Sequence, residues 1–298
     1  MAVPAHAANN VTEPATPGHG DARHRDARHR DVRAGGAATA GTYPFEIGDQ
    51  VITGWHSHEL HQLEYAFEGV AQVETAAARY LLPPQQAAWI PAGVEHCTTL
   101  TRVRTLSVFF APEPGLDAGE RVRILAVAPV IREMILYARR WPIDRAIDGT
   151  GHGTGDGTGG DQAADAFFTA LAHVLASSLD QEVPLRLPTS SDPLVAAAMD
   201  FTSAHLGAVA LADVCAAAGT SERSLRRAFL ADTGLTWREY LLQSRLLRAM
   251  ALLAEPGRTV LAIATDAGFG SLSGFTRAFR RYTGETPLGY RQRVLPPR

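Results

Sequence analysis

Residues 211–234, LADVCAAAGTSERSLRRAFLADTG, and residues 259–291, TVLAIATDAGFGSLSGFTRAFRRYTGETPLGYR, carry one pattern twice. In the first copy the sequence predicts a short helix from Leu211 to Ala218, a turn at Gly219, and a second helix opened by Ser221 as its cap. That is helix-turn-helix spacing. Leu225, Ala228 and Phe229 fall at i, i+3 and i+4 and face a core, which leaves Arg223, Arg226 and Arg227 on the opposite face. In the second copy Phe275, Ala278, Phe279 and Tyr282 form the core stripe, while Ser273, Arg277, Arg280 and Arg281 fall on other faces. The turn glycines Gly219 and Gly268 are 49 residues apart and the aromatics Phe229 and Phe279 are 50 apart, which marks an internal repeat. Between the copies, WREYLLQSRLLRAMALLAE reads as one long helix stopped by Pro256-Gly257. Two such readers on a stiff spacer would reach successive major-groove segments about 34 Å apart on one face of DNA.

Working outward, Asp192-Pro193 supplies a helix cap followed by proline at the first helical position, so the carboxyl-terminal all-α part is taken as residues 189–298. From Thr189 onward 13 basic and 9 acidic side chains give a net charge of +4, leaving −7 for the remainder of a chain whose total is −3. A basic half joined to an acidic half suggests nucleic acid for one and a different partner for the other. Every Lys or Arg position is arginine, whose fork suits phosphate and guanine, although a lysine-free chain is first of all what genome composition produces. The polar stretch EVPLRLPTSSDP separates the two halves.

The amino-terminal part divides further. Residues 1–42 are rich in Ala, Gly, Pro, His and Arg, include the near-tandem DARHRDARHRD with His24 and His29, and read as a disordered tail. Residues 43–115 show short strands at close spacing, such as FEIGDQVI, LEYAFEG and RTLSVFF, which indicate a small antiparallel barrel. Residues 116–188 turn to a helical period, interrupted by the glycine-rich loop 149–161 that contains His152. With 46% apolar residues in 298, the chain can build real cores, and disorder throughout is excluded. No stretch approaches the ~18 apolar residues of a membrane helix, and the start lacks a signal pattern, so a soluble, unexported, cytoplasmic protein is expected. Two cysteines, Cys97 and Cys215, are too few for a disulfide framework or a cysteine-based zinc module.

The stretch IATDAGFGSLSGFTRAFRRYTGETPLGYR resembles the carboxyl-terminal signature of the AraC/XylS family of bacterial transcription regulators, and LADVCAAAGTSERSLRRAF is similar to that family's first helix-turn-helix. The resemblance covers about 100 residues. It implies double-stranded promoter DNA as a partner, with the second helix of each motif in the major groove. The implied contacts are Arg223, Arg226 and Arg227 in the first motif and Leu272, Ser273 and Arg277 in the second. Leu272 could meet only an apolar feature such as a thymine methyl. Arg280 and Arg281 lie further along the helix, where phosphate or an acidic side chain is the expected partner. Asp213 and Asp266 are expected to be structural.

In the amino-terminal half, GWHSHELHQLEYAFEG and AAWIPAGVEHCTTL place His56-x-His58-x3-Gln62 ahead of Pro91-x-Gly93-x2-His96. On a strand, alternate residues share a face, so His56, His58, Gln62 and Glu64 are expected on one side and His61 on the other. Three imidazoles and an oxygen donor suit a divalent transition metal. The pattern resembles the two cupin motifs, which implies a metal held by His56, His58, Gln62 and His96, or an organic-effector pocket lined by these and Glu64. Gln62 stands where that family has Glu, and Gln85 stands where its second motif begins with Gly.

The expected fold is thus α+β: a cupin β-barrel with following helices, then an all-α domain with two helix-turn-helix motifs. The favoured reading is a non-enzymatic, sequence-specific transcription regulator whose barrel senses a small effector or metal. The family resemblance implies that the helices after the barrel make a homodimer, although packing on their own barrel would satisfy the same apolar stripes, and RNA polymerase is a further implied partner. The competing reading is a metal-dependent cupin enzyme, a dioxygenase or isomerase, with His56, His58, Gln62 and His96 as ligands and Glu64 as acid or base.

Overall fold

The computed structural model describes residues 40–112, 119–145, 159–179 and 182–295. His24, His29 and His152, with most of the glycine-rich stretch, lie outside them. The described residues open with five antiparallel strands, β1 (Ala40–Ile52), β2 (His61–Glu74), β3 (Ala78–Leu82), β4 (Gln86–Ile90) and β5 (Cys97–Phe110), followed by the short β6 (Arg123–Ala126). Helices α1 (Pro129–Ala138) and α2 (Gly159–Ala176) come next, then β7 (Arg186–Pro188). Seven helices complete the chain: α3 (Pro193–Ala204), α4 (Leu211–Ala217), α5 (Glu222–Thr233), α6 (Trp237–Leu253), α7 (Val260–Asp266), α8 (Leu272–Thr283) and α9 (Pro287–Val294). The result is the expected α+β class.

The sheet departs from the expectation in three respects. Its hydrogen bonding does not close into a barrel: β2 pairs with β5 along one edge, and its other edge is divided between β4 and β3. The order β1-β5-β2-β3-β7 therefore carries a branch, β4-β6, and leaves open ends. Ala40, Gly41 and Thr42, assigned by composition to the tail, already pair with Phe110, Phe109 and Val108 as part of β1. Helix α2 begins at Gly159, inside the stretch expected to be loop.

One face of the sheet packs on α1 and α2 through a cluster that includes Leu63, Trp89, Val108, Ile135, Phe168 and Leu171. A second cluster runs from the sheet into the last helices, joining Tyr80, Leu82 and Leu100 to Met250, Phe275 and Phe279. A third, with Val195, Leu225, Phe229 and Tyr240, belongs to the first helix-turn-helix unit. The second unit thus shares a core with the sheet. The first has its own.

The helical part follows its sequence signals closely. Asp192 accepts from the backbone N–H of Leu194 and Val195, and Ser221, Thr236, Thr259, Ser271 and Thr286 each cap the helix that follows. Thr236 and Glu239 form a reciprocal capping box at the start of α6. The second helix of each helix-turn-helix unit, α5 and α8, is anchored by the same edge-on ring pair: Phe229 against Tyr240 at 5.3 Å and Phe279 against Tyr290 at 5.6 Å.

Gln85 is the single non-glycine residue with a left-handed backbone among the described residues, at φ 63°. Its N–H donates to Ala66 O at 2.8 Å, which ties the turn, and its side chain donates to Arg293 O at 2.5 Å. That carbonyl is in the last turn of α9 and has no partner within the helix ladder. Glycine would take this backbone without strain but could not reach α9. A glutamine here therefore exchanges about 1 kcal/mol of local strain for a bond between the two halves. Gln85→Gly is expected to lose the bond and relieve the strain, whereas Gln85→Ala loses the bond and keeps it. Urea midpoints should place the alanine variant about 1 kcal/mol below the glycine variant.

Candidate functional site

The residues with a chemical role gather in two places. On the helical half, α5 turns Leu225 and Phe229 into the core and leaves Arg223, Arg226 and Arg227 exposed. On α8, Phe275 and Phe279 are fully buried while Leu272, Ser273, Arg277, Arg280 and Arg281 are exposed. The amphipathic split follows from the 3.6-residue period and is sharpest in α8. Ser273, Arg277 and Arg280 or Arg281 succeed one another at helical spacing on one side. Arg280 and Arg281 also occupy the last turn, where cations complement the helix dipole.

Not every arginine is equally available. Arg226 pairs with Glu222 one turn earlier at 2.8 Å, an exposed contact that salt would screen. Asp213 accepts from the backbone N–H of Ala210 at 3.3 Å, and Asp266 pairs with Arg258, so both acids serve the fold.

In the sheet half, His56 and His58 lie in the β1–β2 connection and not on a strand, which corrects the alternation argument for them. Their convergence has another cause. His56 and His96 face each other across an isolated antiparallel bridge, each donating its N–H to the other's carbonyl at 3.0 and 2.9 Å. The turn Pro91-Ala92-Gly93, with Gly93 at φ 78°, brings the Gly93 N–H onto His58 O at 2.8 Å. Ring centroids are then 4.3 Å apart for His56–His96, 5.2 Å for His58–His96 and 6.2 Å for His56–His58. His61 does point to the other side, stacking near Trp89 and accepting from Ala92 N–H at 3.0 Å.

Gln62 and Glu64 on β2 continue this polar line inward, with Ser107 of β5 opposite, all at most 2% exposed. His58 Nδ1 meets Leu60 O at 2.6 Å and its Nε2 meets Gln62 Oε1 at 2.9 Å. The amide nitrogen of Gln62 lies 2.9 Å from Glu64 Oε2 and 3.0 Å from Ser107 Oγ, and the Ser107 hydroxyl contacts the same carboxyl oxygen. Thr105 and Ser107 were not among the residues singled out from sequence. Their one signal is that they alternate with the apolar Leu106 and Val108 in the second half of β5.

Two proton arrangements fit these heavy atoms, because an amide's oxygen and nitrogen exchange places on a half-turn. In one, an imidazolium donates to Gln62, which donates to a carboxylate. In the other, protonated Glu64 donates to the Gln62 oxygen, and the Gln62 NH2 donates to the lone pair of neutral His58. Burial pushes the Glu64 pKa above its ordinary value against hydrogen bonds from Ser107, Thr105 and Gln62, and burial pushes His58 below its own against bonds to Gln62 and Leu60. Both directions select the uncharged arrangement, which avoids placing two ions in the sheet interior.

The same geometry bears on metal binding. Both ring nitrogens of His58 are engaged with protein groups, and among the described residues no three His, Cys, Asp or Glu side chains are arranged to hold a metal ion. As arranged, the cluster does not fit the metal that the cupin resemblance implied. Nor does any described helix have the length and apolarity to cross a membrane.

Residues 214–293 match the family model described as a helix-turn-helix domain. The chain is 29% identical over 252 residues to the HTH-type transcriptional regulator NimR of Escherichia coli K12, covering 83% of this chain and 85% of that protein. It is 37% identical over 105 residues to the HTH-type transcriptional activator RhaR of the same strain, covering 35% of this chain and 37% of that protein. An AraC-type transcriptional regulator structure from Chromobacterium violaceum is 28% identical over 36% of this chain and 97% of its own, with a TM-score of 0.34.

Two measurements check the sheet site. With a raised folded-state pKa, Glu64 contributes stability below the ordinary carboxyl range that is lost as pH rises through the folded value; an amide has no such loss. Glu64→Gln should therefore gain on the wild type in urea midpoint as pH rises above the ordinary carboxyl range. Treatment with a strong chelator is expected to leave the melting temperature of the protein unchanged.

Proposed function

We propose that the chain is an AraC-type transcription regulator whose helix-turn-helix domain binds DNA, that α5 and α8 read two successive major-groove segments of a promoter, and that the sheet half binds an organic effector. The observation that carries this reading is the repeated recognition helix: two helices on the same ring anchor, each with its arginines exposed. Arg227 and Arg277 occupy equivalent places before an Ala-Phe pair and are assigned to base edges. Arg223, Arg226 and Ser273 flank them, Leu272 offers an apolar contact at 42% exposure, and Arg280 and Arg281 hold phosphate. The enzyme alternative has no support, since the named relatives are regulators.

For the effector, the polar line His56, His58, His96, Gln62 and Glu64 is the proposed recognition surface. Neutral donors and acceptors in this arrangement suit an uncharged, hydrogen-bonding molecule better than an ion. The effector acts by binding one arrangement of the two halves better than another, because equal affinity for both shifts nothing. The outer face of α1 and α2, where Val130 and Tyr137 are more than half exposed, is the proposed surface for a second copy of the chain, and a promoter-bound regulator would also meet RNA polymerase. The reading places the protein in the cytoplasm, with its DNA.

The test is binding of the full chain to duplex DNA selected from a random pool. Arg227→Ala and Arg277→Ala should each weaken specific binding by about 1 to 3 kcal/mol and relax preference at one base pair. Arg280→Ala and Arg281→Ala should weaken all sequences alike and reduce the salt slope by about one each. Unchanged affinity in both Arg227 and Arg277 variants, with melting temperatures intact, would overturn the assignment.

A further inference from the structure

The two recognition helices must keep a fixed offset if they are to enter one stretch of DNA together, and a single point in the helical half is built to hold it. Arg245, midway along α6, donates from Nε to the carbonyl of Leu206 at 2.9 Å. Leu206 follows α3 and belongs to the first unit. The same carbonyl faces Gly268, the turn glycine of the second unit. A Cβ placed on Gly268 would lie 2.3 Å from Leu206 O, 2.7 Å from Arg245 Nε and 2.9 Å from Arg245 Cζ. First unit, connecting helix and second unit therefore meet at one hydrogen bond.

The comparison within the repeat shows that this is not a property of the motif. Gly219, the matching glycine of the first unit, has a similar backbone at φ 61° against 84°, yet a Cβ there would meet nothing within 4 Å. Gly219 answers only to its turn. Gly268 answers to its turn and to a close approach. The approach also has leverage, because the first unit is tied to α6 a second time where Trp237 Nε1 donates to Thr202 Oγ1 at 3.0 Å. Trp237 and Arg245 are eight residues apart, about 12 Å along the helix, so α3 is held to α6 at two separated points and cannot swing about either. Arg245 is half-buried, and among the described residues no carboxylate lies within ion-pair distance of it. A neutral donor could serve the Leu206 carbonyl equally well.

We propose that Arg245 is a positioning residue that fixes the spacing between the two DNA-reading helices by locking the Leu206 carbonyl of the first unit against the Gly268 turn of the second. The proposal rests on the reading that both helices bind DNA. Rigid linkage raises the effective concentration of the second reader once the first is bound, and it does so for one spacing only. Loss of the lock should leave each half-site's sequence unchanged and broaden the distance between them.

The experiment selects binding sites from a pool of random duplex DNA with the full-length wild type, Arg245→Met and Arg245→Gln. Methionine keeps the stem and lacks the donor; glutamine places an N–H where Arg Nε stood. Wild type and Arg245→Gln should select paired half-sites at one separation. Arg245→Met should select the same half-site sequences at several separations, and bind the wild-type duplex about tenfold more weakly, the effect of one lost hydrogen bond of ordinary to charged strength. A role in stability alone would lower the melting temperature without changing the separation. Identical, single separation and affinity in Arg245→Met would overturn the proposal. Absence of any paired half-site for the wild type would instead overturn the two-reader assignment beneath it. Should Arg245→Met not fold, Arg245→Lys, whose donor sits one bond beyond the Nε position, should shift or broaden the separation, and an unaltered separation in it would be equally fatal.

Discussion

An edge-on contact between two buried rings, made once in each helix-turn-helix unit, sets the orientation of everything the helical half presents. Phe229 and Phe279 are fully buried, as is Tyr290, and Tyr240 is nearly so. A helix held by its buried phenylalanine is fixed in its rotation about its own axis, so the residue two positions before that ring, Arg227 or Arg277, has to face outward. The exposed arginines thus follow from the aromatic anchors. The capping residues contribute on the same scale, because each recognition helix is only 12 residues long and would be marginal in isolation.

The sheet half is governed by a different constraint, the cost of placing polar groups where water cannot reach. Gln62, Glu64 and Ser107 occupy its interior bonded to one another, and His58 closes the line at its outer end. Such a network is stable as a neutral set. Insertion of a charge at either end would have to be answered by a proton or by a rotation of the Gln62 amide, which makes the line a natural place for a bound molecule to be registered.

These two halves differ in how much of them the sequence disclosed. Helix caps, turn glycines and the apolar stripes are local signals, and they placed the starts of α3 and α5 and both ends of α4 and α6 within a residue or two. The convergence of His56, His58 and His96 was also legible, but for the wrong reason. Strand alternation was invoked, whereas the pairing of His56 with His96 across a bridge and the Gly93 turn bring the rings together. The open, branched sheet could not be read at all, since no local pattern reports which edge of β2 meets β3 and which meets β4. Thr105 and Ser107 escaped for the same reason: a polar side chain on a strand declares its face only once the partner strand is known.

The seam between the halves was the least legible feature, and it bears most on regulation. Gln85 departs from the glycine that the cupin pattern leads one to expect, and sequence alone could treat this only as a defect in the motif. Its left-handed backbone and its bond to Arg293 give the departure a purpose, since a glycine would have left the end of α9 uncapped. Tyr282 of α8 adds a second tie to the carbonyl of Pro184. Both ties, and the core that spans the seam, engage the second unit and not the first. A change in the sheet would therefore reach α8 through the shared core and both ties, and would reach α5 less directly, through Leu187 of β7 at the edge of the first unit's core and through α6 and the junction at Arg245. Under the proposed function, the effector would act on the offset between the readers more readily than on either reader's contacts, which changes which spacing is bound while leaving the bases read at each half-site the same.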